Sequence, residues 1–294
     1  MKKNNICQFL LSAFFTLAII SLSACEKVVI DYDEEQASET SKGNVVLRFI
    51  PYEIGDFTRA TTDISDICSR VNLAVFDGET KLKTISQQRT DAGFGTVTLT
   101  LNAGSYELVV IAHSCDGSAT ITSPDKVTFP NNKVTDTFYY YGSLEVGSDT
   151  EVHELVLTRC VAMFRLVLSD DEIPANVDKF KFYYLGGSST FSPKQGYGNV
   201  QSKQTEIRTV NEGGIYDVFT FPHSEQDVLT KLEITALDVN DNTIKQHIFE
   251  NVPVTRNRVT RYTGKFFGDN GSVESGGFKL KADPNWAGTD GYKF

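Results

Sequence analysis

Thr96-Val97-Thr98-Leu99-Thr100-Leu101 alternates polar and apolar residues without a fault. Successive strand side chains point to opposite faces, so Val97, Leu99 and Leu101 share one face and three threonines share the other. Such a strand is dry on one side and wet on the other, and β-branched threonine suits the wet side. Tyr106–Ala112, Val161–Leu168, Lys179–Tyr184 and Leu232–Leu237 read in the same way. Turn signals separate them: Asp77-Gly78, Asn102-Ala103-Gly104, Asp116-Gly117, Gly186-Gly187, Asn211-Glu212-Gly213-Gly214 and Asn240-Asp241-Asn242. Gly and Asn belong there because tight hairpin turns need positive φ. No stretch keeps helical periodicity for more than about two turns. The spacing predicts an all-β chain of tandem β-sandwich domains.

One strand series ends at Leu155-Val156-Leu157 and another starts at Cys160, which sets a boundary near Thr158. The expected division is a first sandwich over 44–158, a second over 159–270, and a carboxy-terminal extension over 271–294. The halves share a weak plan. Val71–Phe76, Val97–Leu101 and Tyr106–Ile111 match in style Phe180–Tyr184, Val218–Phe221 and Leu232–Leu237.

The amino terminus has the layout of a secretory signal: Met1-Lys2-Lys3, an apolar core from Phe9, and small residues before Cys25. The apolar run from Phe9 to Ala24 is shorter than the roughly 20 residues a spanning helix needs. Leu22-Ser23-Ala24-Cys25 resembles the lipobox of bacterial lipoproteins, which implies removal of 1–24 and a lipid on Cys25. An ordinary secretory signal with a chance cysteine is the alternative. No later stretch could span a bilayer as a helix, so lipid is the expected hold on the outer membrane. Residues 25–43, with Asp31, Asp33, Glu34, Glu35 and Glu39 among polar neighbours, read as a solvated tether. They also resemble the acidic export signals that follow the lipidated cysteine in surface lipoproteins of Bacteroidota. The chain carries 28 Lys and Arg against 38 Asp and Glu, a net charge of −10. Loss of Lys2 and Lys3 with the signal takes this to −12. A surface of that sign, without a basic stripe, excludes nucleic acid as a partner.

The chain offers little to an enzyme. His113, His153, His223 and His247 are scattered, and no zinc-ligand spacing occurs. His113-Ser114-Cys115-Asp116 sets a base beside a nucleophile, but neighbouring strand residues face opposite ways and Asp116-Gly117 is a turn. Gly93-Phe94-Gly95 and Gly196-Tyr197-Gly198 lack the third glycine and helix of a phosphate loop. Asp238–Asn242 opens like a calcium loop, but glycine is missing at its sixth position and Phe249 stands where the bidentate glutamate belongs. No catalytic residue, metal or cofactor is expected. Phe138-Tyr139-Tyr140-Tyr141 could line a sugar platform, although an alternating strand buries half of it. With Cys25 spent, Cys68, Cys115 and Cys160 remain. If Val71–Phe76 pairs antiparallel with Tyr106–Ile111, Cys68 and Cys115 lie at neighbouring ends, either bonded or as two buried thiols. Cys160 reads as a small core residue.

A family resemblance follows from several stretches together. They are Asn44–Ile50, Cys68–Asp77, Gly104–His113, Leu157–Phe164, Asn251–Thr260 and Thr263–Phe267. Spread over about residues 20 to 267, they resemble the fimbrial anchor (FimB-type) family of Bacteroidota, subunits of type V fimbriae. The resemblance implies two sandwiches of transthyretin-like topology, delivery to the outer membrane as a lipoprotein, and other fimbrial subunits as partners. In shaft subunits a trypsin-like protease cuts after Arg or Lys and releases the first strand. A carboxy-terminal strand from the next subunit fills the groove. Anchors keep both lipid and first strand.

On this chain the first strand is Val45–Ile50, with Val45, Leu47 and Phe49 on one face. Arg59–Ala60 is the candidate cut, or else Arg59 is a plain loop residue. The donor comes from beyond the Gly/Ser/Asp-rich spacer Gly268–Gly277, with Phe278, Leu280 and Trp286 as plugs. The alternative is a tail folded back as the last strand of its own domain. The expected role is anchor, with a matured shaft or tip subunit, or a glycan-binding surface lipoprotein, as alternatives. Any host or bacterial receptor would be met through the assembled fibre.

Overall fold

A computed structural model describes residues 41–51, 63–268 and 289–293. The described chain is almost all strand, as the alternation predicts, with one helical turn, α1 (Ile64–Ile67), and a 3-10 turn at Pro130–Asn132. Cys25, Arg59, Ala60, Phe278, Leu280 and Trp286 lie outside the described residues.

Numbering strands in chain order, one sheet of the first sandwich runs β4 (Thr96–Asn102), β1 (Lys42–Pro51), β9 (Glu151–Arg159). Facing it are β3 (Thr80–Gln88), β2 (Arg70–Asp77), β5 (Gly104–His113) and β8 (Phe138–Val146). The two sheets join at a corner where Phe138 of β8 stands opposite Arg159 of β9. Between them lie Val45, Leu47 and Phe49 of β1 and Val97, Leu99 and Leu101 of β4, against Leu73, Val75, Leu108 and Val110. The strand that decided the fold therefore buries the face its alternation marks.

The chain crosses to the second sandwich between Arg159 and Ala162. There one sheet runs β15 (Ile215–Thr220), β10 (Ala162–Leu168), β18 (Val259–Gly264), β19 (Thr289–Lys293). The other runs β14 (Lys203–Thr209), β11 (Lys179–Leu185), β16 (Gln226–Leu237), β17 (Thr243–Thr255). Phe164, Leu166, Phe180, Phe182, Tyr216 and Ile234 fill its core. The plan of the first sandwich recurs. In each, the first strand pairs antiparallel with one neighbour (β1–β4, β10–β15) and parallel with another (β1–β9, β10–β18). The facing sheets match too, β3-β2-β5-β8 against β14-β11-β16-β17. The three pairs of segments alike in sequence style occupy equivalent places, β2 with β11, β4 with β15 and β5 with β16.

The sandwiches are not independent beads. β6 (Thr120–Ser123) and β7 (Lys126–Thr128) from the first half form a sheet with β12 (Thr190–Ser192) and β13 (Tyr197–Gly198) from the second, Phe191 standing opposite Val127. Beneath it a shared apolar cluster takes Phe76, Ile111, Val127 and Phe129 from one half and Cys160, Val161, Met163, Phe191 and Phe221 from the other. Phe129 stacks on Phe221 with ring centres 5.3 Å apart. Strands β2 and β5 are therefore buried on both faces, as the unbroken apolar runs Leu73–Phe76 and Leu108–Ala112 record.

That cover revises the aromatic run. Phe138 is fully buried in the first core and Tyr140 packs against it, while Tyr139 and Tyr141 pack against the shared cluster, so both faces of the run are committed to packing and its three tyrosines are left half-buried. The bond weighed between Cys68 and Cys115 is not formed. Their strands pair antiparallel as supposed, but Cys68 enters the first core and Cys115 the shared cluster, and both are free thiols, like Cys160.

Candidate strand-exchange site

β1 is the middle strand of its sheet. It meets β4 over seven residue pairs, from Lys42 opposite Asn102 to Arg48 opposite Thr96. On its other side it meets β9 over seven, from Val45 opposite Glu151 to Pro51 opposite Leu157. Val45, Leu47 and Phe49 are exposed by only 1%, 0% and 5%. Alternation puts Val46, Arg48 and Ile50 outward, beside the exposed Val152 and Val156 of β9.

Both ends of the slot are closed. At the amino end a Cβ on Gly43 would come within 2.1 Å of the Gly147 carbonyl oxygen, so the β8–β9 turn lies directly over a residue that must lack a side chain. At the other end the Phe49 N–H donates to the Gly95 carbonyl at 2.9 Å. Ile64 of α1 is buried there, and Asp63 caps α1 by accepting from the Ser65 N–H at 2.8 Å. An open cleft of about 310 Å3 remains, lined by Arg48, Phe49, Asp63, Ile64, Phe94 and Glu154 among others.

Lifting β1 out would leave β4 and β9 with facing rows of unpaired N–H and C=O groups above an apolar floor. Another extended chain with side chains in alternate pockets could fill such a slot. The second sandwich shows the chain's own tail in a related role. β19 adds parallel to β18, Val259 opposite Thr289 through Thr263 opposite Lys293. Tyr292 lies 4.9 Å from the Tyr262 ring, which packs in turn on Phe164 and Phe249. Burial pushes the Tyr262 phenol up to about 12. Residues 289–293 thus fold back on their own domain.

The chemistry-bearing residues serve structure. His113 is fully buried. Its Nδ1 accepts from the Cys115 N–H at 3.0 Å, so Nε2 carries the proton and donates to Asn72 Oδ1 at 2.9 Å. The same Asn72 oxygen accepts from the Ala119 N–H, and the Asn72 amide donates to Ser86. Burial, helped by the Arg70 charge, lowers the His113 pKa to about 4. The Asp238 carboxylate is occupied by the backbone N–H groups of Asn240 and Asn242 and by the Asn242 amide, all at 2.8–2.9 Å, and is a turn, not a calcium ligand. Among the described residues no cluster of His, Cys, Asp and Glu could hold a metal.

Two features escaped the sequence reading. β9, supplying Leu155 and Leu157 to the floor, is the parallel wall of the slot. The second is Arg159, 6% exposed, which grips Asp136 through two bonds of 2.8 and 3.0 Å and donates to Asn257 of the other sandwich at 3.2 Å. Its guanidinium also lies over the Phe138 ring, 4.6 Å from the centre. Burial raises the Asp136 pKa while the Arg159 charge opposes it.

Among curated proteins no sequence match is found. Solved structures with a similar fold include a putative adhesin from Bacteroides ovatus, at 15% identity, TM-score 0.46, covering 70% of this chain and 76% of that one. A fimbrial assembly protein from Parabacteroides distasonis is 14% identical, TM-score 0.39, covering 76% and 90%. The fimbrial anchor protein Mfa2 from Porphyromonas gingivalis is 10% identical, TM-score 0.40, covering 70% and 82%. Likenesses of this degree carry no functional argument. The family profile does: that of the fimbrillin-A associated anchor proteins Mfa1 and Mfa2 matches residues 34–286, most of the chain. With two sandwiches and a seated first strand on the same span, this chain belongs to the family of fimbrillin-A associated anchor proteins.

Proposed function

We propose that this protein is the anchor subunit of a type V fimbria. Lipid on Cys25 seats it in the outer membrane, the residues between Cys25 and β1 tether the fold at the cell surface, and a carboxy-terminal arm, whose β19 lies on β18 in the free subunit, is lent to the neighbouring subunit. The observation that carries the reading is the match of residues 34–286 to the profile of anchor proteins, and the seat of β1 agrees with it. A shaft subunit would discard this strand after a cut such as Arg59–Ala60, and with it the covalent path from lipid to fold. Here β1 is paired on both sides and supplies three core side chains. Each such side chain returned to water costs about 1.5–3 kcal/mol. A protein that must hold a fibre to a lipid foot gains from keeping that strand.

The arm is tested by deleting residues 278–294. The seven-strand plan of the second sandwich is complete without β19, just as the first is complete without an equivalent, so the shortened protein folds. It is expected at the membrane but without a fibre attached; fibres held as in the wild type would contradict the donor arm.

A further inference from the structure

We propose that the fold is also a tension clamp: a pull along the chain, from the start of β1 to the end of β18, is met by shear across two parallel strand pairs. The proposal rests on the anchor reading only for the source of the pull, membrane at one end and fibre at the other.

The geometry is set by where the chain enters and leaves each sandwich. It enters the first at the amino end of β1 and leaves by the carboxy end of β9, the strand hydrogen-bonded parallel beside it. It enters the second at the amino end of β10 and leaves by the carboxy end of β18, again its parallel neighbour. Force therefore arrives at one end of each pair and departs from the other. It drags the two strands past each other along their length. All seven residue pairs of β1–β9, and all six of β10–β18, must then give way together. The antiparallel bonds of β1 to β4 and of β10 to β15 resist the same sliding. Had entrance and exit lain at the same end, the evenly spaced bonds of a parallel pair would break one after another.

The link between the sandwiches is protected in parallel with the chain. The Cys160 N–H donates to the Thr137 carbonyl at 3.0 Å and the Asn257 N–H to the Val161 carbonyl at 2.8 Å. Arg159 ties Asp136 to Asn257, and β7 pairs with β12 across the shared cluster. Tension thus passes through packed contacts instead of a bare linker at 160–161.

Single-molecule force spectroscopy tests this on the full chain with Cys7→Ser and Cys25→Ser. The buried thiols of Cys68, Cys115 and Cys160, all with pKa values raised by burial, stay unreactive while folded. Handles on Ser41→Cys and Lys265→Cys pull along the chain. Handles on Ser41→Cys and Asp149→Cys, in the turn before β9, pull the same β1–β9 pair from one end. All three positions are exposed, and equal urea midpoints check that neither pair of substitutions harms the fold. Rupture force reports the forced unfolding rate. The clamp predicts axial rupture forces several-fold above those of the peeling geometry. Equal forces, or a weaker axial direction, overturn it. A clamp in a protein that holds no fibre would sink the anchor reading alone; fibre attachment with equal forces would sink the clamp alone.

Discussion

Leu47→Ala removes the central plug of β1. Leu47 is fully buried, stands opposite Val97 on β4 and His153 on β9, and belongs to the core between the sheets. Leu→Ala in a core costs about 2–5 kcal/mol, more where the surroundings cannot collapse into the space. Paired strands hold β1 on both sides, so the site is stiff and a cost clear of the bottom of that range is expected, about 3–4 kcal/mol. Against a total of roughly 5–15 kcal/mol, that is a large fraction. With a urea slope of about 2–3 kcal/mol/M the midpoint falls by about 1–2 M. The control is Val46→Ala, one residue away on the outward, half-buried face. It leaves the backbone pairing of β1 in place and loses at least as much strand propensity, β-branched valine being the better strand former, yet should cost under about 1 kcal/mol. Equal shifts for the two variants would refute both the facing of β1 and its part in the core.

Two further expectations concern the rest of the fold. Because the sandwiches share an apolar cluster, calorimetry should show a single unfolding transition; Phe129→Ala, which removes the ring between His113 and Phe221, should lower its midpoint by about 3–5 kcal/mol equivalent or split it in two. Two separated transitions in the wild type would contradict the shared core. His113 gives a pH signature: its folded pKa of about 4 lies below the ordinary value near 6.5, so between these values the unfolded chain binds the extra proton. Stability should be full above about pH 6.5 and fall by up to about 3 kcal/mol towards pH 4. His113→Gln should flatten that part of the urea-midpoint profile, and an unchanged slope would exclude the assignment.

Much of this was legible in the sequence because half-buried strands write a period of two. Thr96–Leu101 declared its buried face, and Val45, Leu47 and Phe49 declared theirs. The turn at Asp77-Gly78 has its glycine at φ 54°. What alternation could not show is how sandwiches meet. The clue lay where alternation fails, in Leu73–Phe76 and Leu108–Ala112, since a strand with both faces apolar needs a second cover. Arg159 was quoted only as part of a family stretch, because a buried ion pair depends on Asp136 and Asn257, far away in sequence. Cys68 and Cys115 were neighbours by strand pairing, yet pairing does not say to which side of a sheet the flanking residues turn.

The account stands or falls on whether the chain keeps β1 when at work. The most direct measurement is the intact mass of the protein isolated from outer membranes with the fibre attached. A mass beginning at a lipidated Cys25 and including Lys42–Pro51 is the predicted result. A chain beginning at Ala60, with the strand gone, would contradict it.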